Sequence, residues 1–436
     1  MAEYRIIGGT PTQGEVRISG NKNAALPCLA ATLLTDEEVL LSNVPDIEDV
    51  RVMIGLLERL GSTVTRVEAN SWGIKSGARS GALDRDLVEA IRGSILLLGP
   101  LLATVGEATL TPPGGDVIGL RRLDTHLWGL SSLGASFTVE EHHITLNAEQ
   151  LPLVGSDLFL DEASVTATEN VVMAASLAKG ETIITNAACE PHVQDLCTML
   201  TLMGCTIDGI GSNRLRIVGE KRLHGCSFRL GSDYMETGSF IGLAAATGGE
   251  ALLTGVDVRH LRMIKLGFER IGITFALDGP SSIYVGRHQQ RVLAKEVAGH
   301  TARICDGPWP AFPADLLSIL TVSATQMSGS ILIHEKMFES RMYFVDYLIR
   351  MGADIILCDP HRAVVNGPAR LYGATVTSPD VRAGMALVIA AACAHGESTI
   401  QNIYQIERGY EALSSKLREL GIAIERRQIA ASQRID

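Results

Sequence analysis

A bulky apolar residue, a glycine and then a short strand-like run recur six times along this chain. They occur as Leu60-Gly61, Leu133-Gly134, Met203-Gly204, Ile271-Gly272, Met351-Gly352 and Leu420-Gly421. The glycines are 73, 70, 68, 80 and 69 residues apart, so the chain reads as six copies of one supersecondary unit. Around each phrase the order is constant, as in "NVVMAASLAKGETIITNAACEPHVQDLCTMLTLMGCTI". An Ala-rich, wholly apolar helix runs into glycine, then an alternating strand, a polar turn, an amphipathic helix ended by glycine, and another strand.

A helix that is apolar all round must be covered on every side. The first helix of each unit is therefore internal, and the second keeps one face in solvent. Three units sharing a set of buried helices make one domain. The expected fold is α/β, with two similar inside-out barrel-like domains of three units each, helices inside and sheets outside. The first domain is expected over 22–230, carrying a mobile loop near 112–122. The second is expected over 1–21 plus 231–436, with the active site in the cleft between them. The strands in "EYRIIGG" and "GEVRIS" are expected to complete the sheet of the second domain, which makes the chain cross twice.

At 436 residues, two domains also agree with the size of a single core. A net charge of -11 argues against non-specific binding to nucleic acid or anionic lipid, although a basic cleft within an acidic surface is compatible with it. The N-terminus has no basic segment leading into an apolar run, and the longest apolar stretches are too short for a bilayer. Eight scattered cysteines without a C-x-x-C pair point to reduced thiols in a cytoplasm, without zinc.

The wholly apolar helices begin with polar residues: Lys22 and Asn23, Arg92, Glu169 and Asn170, Glu236, Asp315, and Asp380 with Arg382. Either these are caps and structural ion pairs, or they gather where free backbone N–H groups favour anions. The turns before the second helices vary most: "TPPGGDVIGLRR", "NAACEPH", "HEKMFESR" and "IYQIERGYE". In the first of these, Asp116 follows Gly114-Gly115 and precedes Arg121 and Arg122. The glycine pair suits either a lid or a tight turn.

Taken in order, "ISGNKNAALP", "PPGGDVIGLRRLDTH", "PAFPADLLS", "FESRM" and "RGYE" resemble the UDP-N-acetylglucosamine 1-carboxyvinyltransferase family of enolpyruvyl transferases, which open bacterial peptidoglycan synthesis. The resemblance spans essentially the whole chain. It implies transfer of enolpyruvate from phosphoenolpyruvate to the 3-hydroxyl of UDP-N-acetylglucosamine by addition and elimination, with no metal or organic cofactor. It also implies roles for individual residues. Lys22, Arg121 and Arg408 would hold the phosphate of phosphoenolpyruvate, and Arg341 and Arg382 its carboxylate. Asn23, Arg92, Ser164, Asp315 and the backbone of Met337 would contact the nucleotide sugar, with Arg121 and Asp124 near its base and diphosphate. Arg122, Leu123, Thr125, Glu162, Ala163, Val165 and Asp380 complete the expected substrate-binding set. Asp315 is the candidate base, with a plain helix cap as its alternative. Asp116 stands where most members of the family carry cysteine, and is the candidate proton donor and acceptor, with a structural pair to Arg121 as its alternative.

Four departures fall on the acceptor side. "RRLDTH" replaces the usual "RPVDLH", Thr166 replaces a common glycine in "SVTATEN", and Tyr234 and Cys189 stand where arginine is frequent. They leave open a paralogue acting on another UDP-sugar or nucleotide. A 5-enolpyruvylshikimate-3-phosphate synthase would share the architecture, but "GNKNAALP" with "RGYE" fits the sugar-nucleotide branch better. A sugar-nucleotide binding protein would not need Lys22, Asp116, Asp315 and Arg408 together. Nucleic-acid binding lacks both a basic excess and interleaved aromatics.

A carboxylate at position 116 is not alkylated as a thiolate is. The epoxide fosfomycin is therefore expected to leave activity intact after preincubation; irreversible, time-dependent inactivation would overturn this.

Overall fold

The computed structural model describes residues 2–78, 80–115, 122–140 and 143–428. They form two compact units, residues 20–115 with 122–231, and residues 2–19 with 232–428. Each unit has its own hydrophobic core. The chain crosses after Ser19 and again after Gly231.

In the 20–231 unit the internal helices are Lys22–Ala31, Leu98–Thr104 and Val165–Ala175, the second entered through a 3-10 turn over Arg92–Leu97. In the other unit they are Tyr234–Thr247, Ala314–Ala324 and Val381–Cys393. Every residue from Tyr234 to Ala246 and from Val381 to Ala392 is buried, as a helix without a polar face requires.

Among the described residues, three sheets belong to each unit. Glu397–Gln401 lies between Thr375–Thr377, its parallel neighbour, and Ala2–Ile7, which pairs antiparallel with it and with Ala423–Gln428. Glu15–Arg17 runs parallel to Ala251–Thr254 in a different sheet. The two N-terminal strands thus complete two sheets of the 232–428 unit rather than one, each supplying an edge or a centre that the later sequence leaves unpaired. A third sheet carries Ala302–Cys305 parallel to Gly329–His334, with Cys305 opposite His334. These two of its four strands end together, so Asp306 and Glu335 leave the sheet side by side.

The repeated glycines have one conformational cause. Gly61, Gly134, Gly204, Gly272, Gly352 and Gly421 all adopt positive φ, from 76° to 104°, just past the end of the amphipathic helices. Only glycine reaches this left-handed region without a Cβ penalty, so it closes the helix and redirects the chain into the next strand.

Among the described residues no helix is long and apolar enough to cross a membrane. The eight cysteines are all free thiols, and Cys28, Cys189, Cys197 and Cys205 are buried.

Close packing of the internal helices depends on small residues. A Cβ on Gly242 would come within 2.6 Å of Ile319 Cγ2 and 2.9 Å of Ser323 Oγ. Gly242→Val is expected to cost about 1–3 kcal/mol by overpacking this contact, read as a lowered urea midpoint. An unchanged midpoint would mean that the two helices do not meet there.

Candidate active site

The internal helix Ala314–Ala324 starts at a Pro313 cap, which leaves Asp315 in its first turn with no capping role. Its carboxylate instead meets two guanidinium groups. Oδ1 lies 2.7 Å from Arg341 Nη2, and Oδ2 accepts from Arg382 Nε at 3.0 Å. The alternative of a plain helix cap is thereby set aside. The side chains of Arg341 and Arg382 are only 14% and 6% exposed, against 23% for Asp315. Burial raises the Asp315 carboxyl, but the two arginines outweigh it and hold it well below the usual carboxylate range.

Two cations face this one anion, and their donors are not used up. Arg341 Nε and Arg382 Nη1 are buried and have no hydrogen-bond partner among the described residues; Ser318 Oγ is likewise unpartnered. A buried donor without an acceptor costs on the order of 1–3 kcal/mol. These groups line one cavity with Ala314, Glu335 and Asp380. Buried guanidinium donors left without partners favour carboxylate or phosphate oxygens.

The neighbouring elements support the cluster. Arg341 lies at the start of a 3-10 turn over Arg341–Phe344 and stacks on Phe338, 4.7 Å from the ring centroid. Arg382 begins the helix Val381–Cys393 beneath the Asp380 cap, which accepts from Arg382 N and Ala383 N at 2.8 and 2.9 Å. Asp380 therefore does structural work at the helix end while lining the cavity. Arg382 also lies over Tyr410, whose hydroxyl bonds Ser239 at 2.8 Å. Arg408 is buried, stacks near Tyr404 and donates to Gln405 Oε1 at 3.2 Å. Met337, whose backbone was expected to contact the nucleotide sugar, donates its N–H to Asp306 Oδ2 at 3.2 Å and Glu335 Oε1 at 3.3 Å.

In the 20–231 unit Lys22 Nζ pairs with Asp49 at 2.6 Å, both side chains largely buried. Asn21 caps the helix, accepting from Asn23 N at 2.8 Å. Ser164 caps Val165–Ala175 and takes its own N–H bond to Glu162 O at 2.7 Å. Arg122 and Asp124 form a 2.7 Å pair on the surface, with Leu123 half-buried between them. Arg92 opens its 3-10 turn, and Gly115, at φ +105°, lies against Arg92, where a Cβ would approach Arg92 Cβ to 2.8 Å. Asp116 and Arg121 lie outside the described residues.

Two segments 40 residues apart come together here. Thr125 Oγ1 donates to Asp161 Oδ1 at 2.7 Å, and His126 Nε2 bonds Thr166 Oγ1 at 2.9 Å. These bonds join the Arg122–Asp124–Thr125 stretch to the turn bearing Glu162, Ala163, Ser164 and Val165. The threonines at 125 and 166, which depart from the family pattern, are both spent on this junction.

Of the other polar helix starts, Glu236 is structural: it pairs with Lys416 at 2.5 Å and accepts from Ser19 N at 2.7 Å. Asn170 is structural too, bridging Gly99 N and Ile95 O. Residues that sequence reasoning passed over are Asp49, Tyr410, Asp306 and Glu335; for Glu335 the only signal was its place in the variable turn "HEKMFESR". Among the described residues no group of His, Cys, Asp and Glu could hold a metal ion.

Comparison with known proteins accords with this geometry. Residues 6–417 match the EPSP synthase (3-phosphoshikimate 1-carboxyvinyltransferase) family. A UDP-N-acetylglucosamine 1-carboxyvinyltransferase of Treponema denticola is 54% identical, covering 98% of this chain and 99% of the relative. Proteins of the same name from Borreliella burgdorferi and Bradyrhizobium diazoefficiens are 53% and 50% identical, over 98% and 97% of this chain and 99% and 98% of theirs. Among solved structures, the enolpyruvyl transferase NikO of Streptomyces tendae superposes with a TM-score of 0.86 at 22% identity, covering 98% of this chain and 99% of that one. EPSP synthase of Acinetobacter baumannii gives 0.74 at 18%, covering 98% and 100%. At these identities the two structures speak for the fold, whereas the relatives at 50% and above speak for the branch. The chain belongs to the EPSP synthase family of carboxyvinyltransferases, and within it to the branch of the UDP-N-acetylglucosamine 1-carboxyvinyltransferases.

Proposed function

We infer that this chain transfers enolpyruvate from phosphoenolpyruvate to the 3-hydroxyl of UDP-N-acetylglucosamine and releases phosphate. The observation that carries this reading is the full-length identity to relatives of that name, joined to a buried pair of arginines whose donors await an anion. The EPSP synthase alternative shares the family and the fold, but its solved structure is 18% identical to this chain, against 54% for a UDP-N-acetylglucosamine 1-carboxyvinyltransferase. The changes at Thr125 and Thr166, which raised a different acceptor, are accounted for by bonds within the protein.

In this reading Arg341 and Arg382 take the carboxylate of phosphoenolpyruvate, and Lys22, Arg121 and Arg408 its phosphate. Asp315 accepts the proton of the 3-hydroxyl as that oxygen attacks C2 of phosphoenolpyruvate. Asp116 delivers a proton to the C3 methylene, then removes one as phosphate leaves and the double bond re-forms.

The resting electrostatics bear on the timing. Two arginines make Asp315 a weak base before substrate arrives. An anion bound to the same arginines offsets part of their charge and returns basicity to the carboxylate. The base is thus strengthened by the substrate it serves. The action on a soluble nucleotide sugar is assigned to the cytoplasm, at the entry to cell-wall synthesis, and Asp116 is assigned as the source of fosfomycin insensitivity.

Phosphate release from phosphoenolpyruvate, assayed with UDP-N-acetylglucosamine beside other UDP-sugars and nucleotides, tests the reading. Turnover is expected with UDP-N-acetylglucosamine alone, and turnover with another acceptor only would overturn the substrate assignment. Asp315→Asn and Asp116→Asn are each expected to lower kcat by about 10²–10⁴-fold, the range for a lost general base or acid. Because Asp315 titrates well below the usual carboxylate range, the acid limb of kcat/KM is not expected to report it. An acid limb that moved with substitution at 315 would contradict the assigned ionisation.

A further inference from the structure

Where Ala302–Cys305 and Gly329–His334 end together, two acidic side chains fold back over the following turn. Asp306 Oδ1 accepts from Lys336 N at 2.5 Å, and its Oδ2 from Met337 N at 3.2 Å. Glu335 Oε1 accepts from Met337 N at 3.3 Å and Phe338 N at 3.2 Å. Three successive amides are therefore held by two carboxyl groups that are 3% and 1% exposed. The turn they hold presents Phe338, on which Arg341 stacks, and then Arg341 itself. Glu335 also lines the cavity that contains Arg341 and Arg382.

Two buried carboxylates in contact repel each other, and sharing one proton relieves that repulsion. We propose that Asp306 and Glu335 are a positioning pair for the reaction: with one proton between them they fix the turn that carries Arg341 and leave that arginine's free donor to the substrate anion. The proposal rests on the function inferred above.

The surroundings agree. Burial, then the hydrogen bond and charge of Asp306, push Glu335 up to about 9, against the opposing pull of Arg341. At neutral pH Glu335 is the protonated partner. Above that value it becomes a second carboxylate beside Arg341 and competes with phosphoenolpyruvate. The other charged groups around the cavity that Glu335 lines are Asp315, Asp380, Arg341 and Arg382; Lys336 meets Asp306 through its backbone amide. His361 donates from Nδ1 to the Glu335 carbonyl at 2.8 Å. His334 is lowered by burial and by Lys336 and Arg362, so it is neutral throughout the alkaline range.

The test compares KM for phosphoenolpyruvate between pH 7 and 9.5 in wild type and Glu335→Gln, which keeps a donor toward Asp306 and an acceptor for the amides but cannot ionise. The wild-type KM is expected to rise roughly two- to fourfold over this range while the variant stays nearly flat, with kcat moving less than KM in both. Parallel alkaline limbs in the two proteins would overturn the proposal. A wild-type minus Glu335→Gln infrared difference spectrum at pH 7 is expected to contain a protonated carboxyl band, and its absence would overturn the pair even if the protein released no phosphate. Failure of phosphate release with that band present would sink the assigned reaction and leave the proton assignment standing.

Discussion

The architecture depends on helices that have no face to give to water. Tyr234–Thr247, Ala314–Ala324 and Val381–Cys393 are buried along nearly their whole length, so sheets must enclose them. Such a helix can keep polar residues only at its ends. In the 232–428 unit those ends supply Asp315, Asp380 and Arg382, and the variable turn after Gly329–His334 supplies Arg341. The same burial that stabilises the domain therefore concentrates charge at the starts of its helices.

What makes this concentration chemically useful is its imbalance. Isolated burial of a carboxylate and an arginine is mostly a desolvation cost offset by their attraction, and by itself is weak evidence of anything but structure. Here one carboxylate is set against two arginines, and each arginine retains a buried donor without an acceptor. In the function proposed above, an anionic substrate supplies the missing charge and acceptors together, which couples its binding to the basicity of Asp315. The contrast with Lys416–Glu236 is instructive. There a lysine, a carboxylate and Ser19 satisfy one another, and the result is a structural tie.

The polar helix starts looked alike in sequence yet serve three purposes. Asn21, Ser164, Asp233 and Asp380 cap helices. Asn170 and Glu236 hold neighbouring segments. Asp315, Arg341 and Arg382 form the surplus-charge cluster. A capping residue and a first-turn acid differ by one or two positions, and the proline at 313 shifts the cap away from Asp315. The departures at Thr125 and Thr166 are similar: as letters they suggested altered specificity, and their hydroxyls turn out to bind His126 and Asp161, residues that carried no signal of their own.

The sixfold glycine phrase, the wholly apolar helices and the order of the motifs were sufficient to determine the α/β class, the enclosed helices and the enolpyruvyl transferase resemblance, because periodicity and a required left-handed φ are local properties. Partnerships were decided only by the tertiary structure. Whether Asp315 caps a helix or binds two arginines, whether Lys22 meets Asp49, and whether Asp306 and Glu335 share a turn all depend on which strands end side by side. Charges act over a few ångströms of space, and residues 26 or 67 positions apart in the chain, such as Asp315 with Arg341 and Arg382, become neighbours only when the sheets close around the helices.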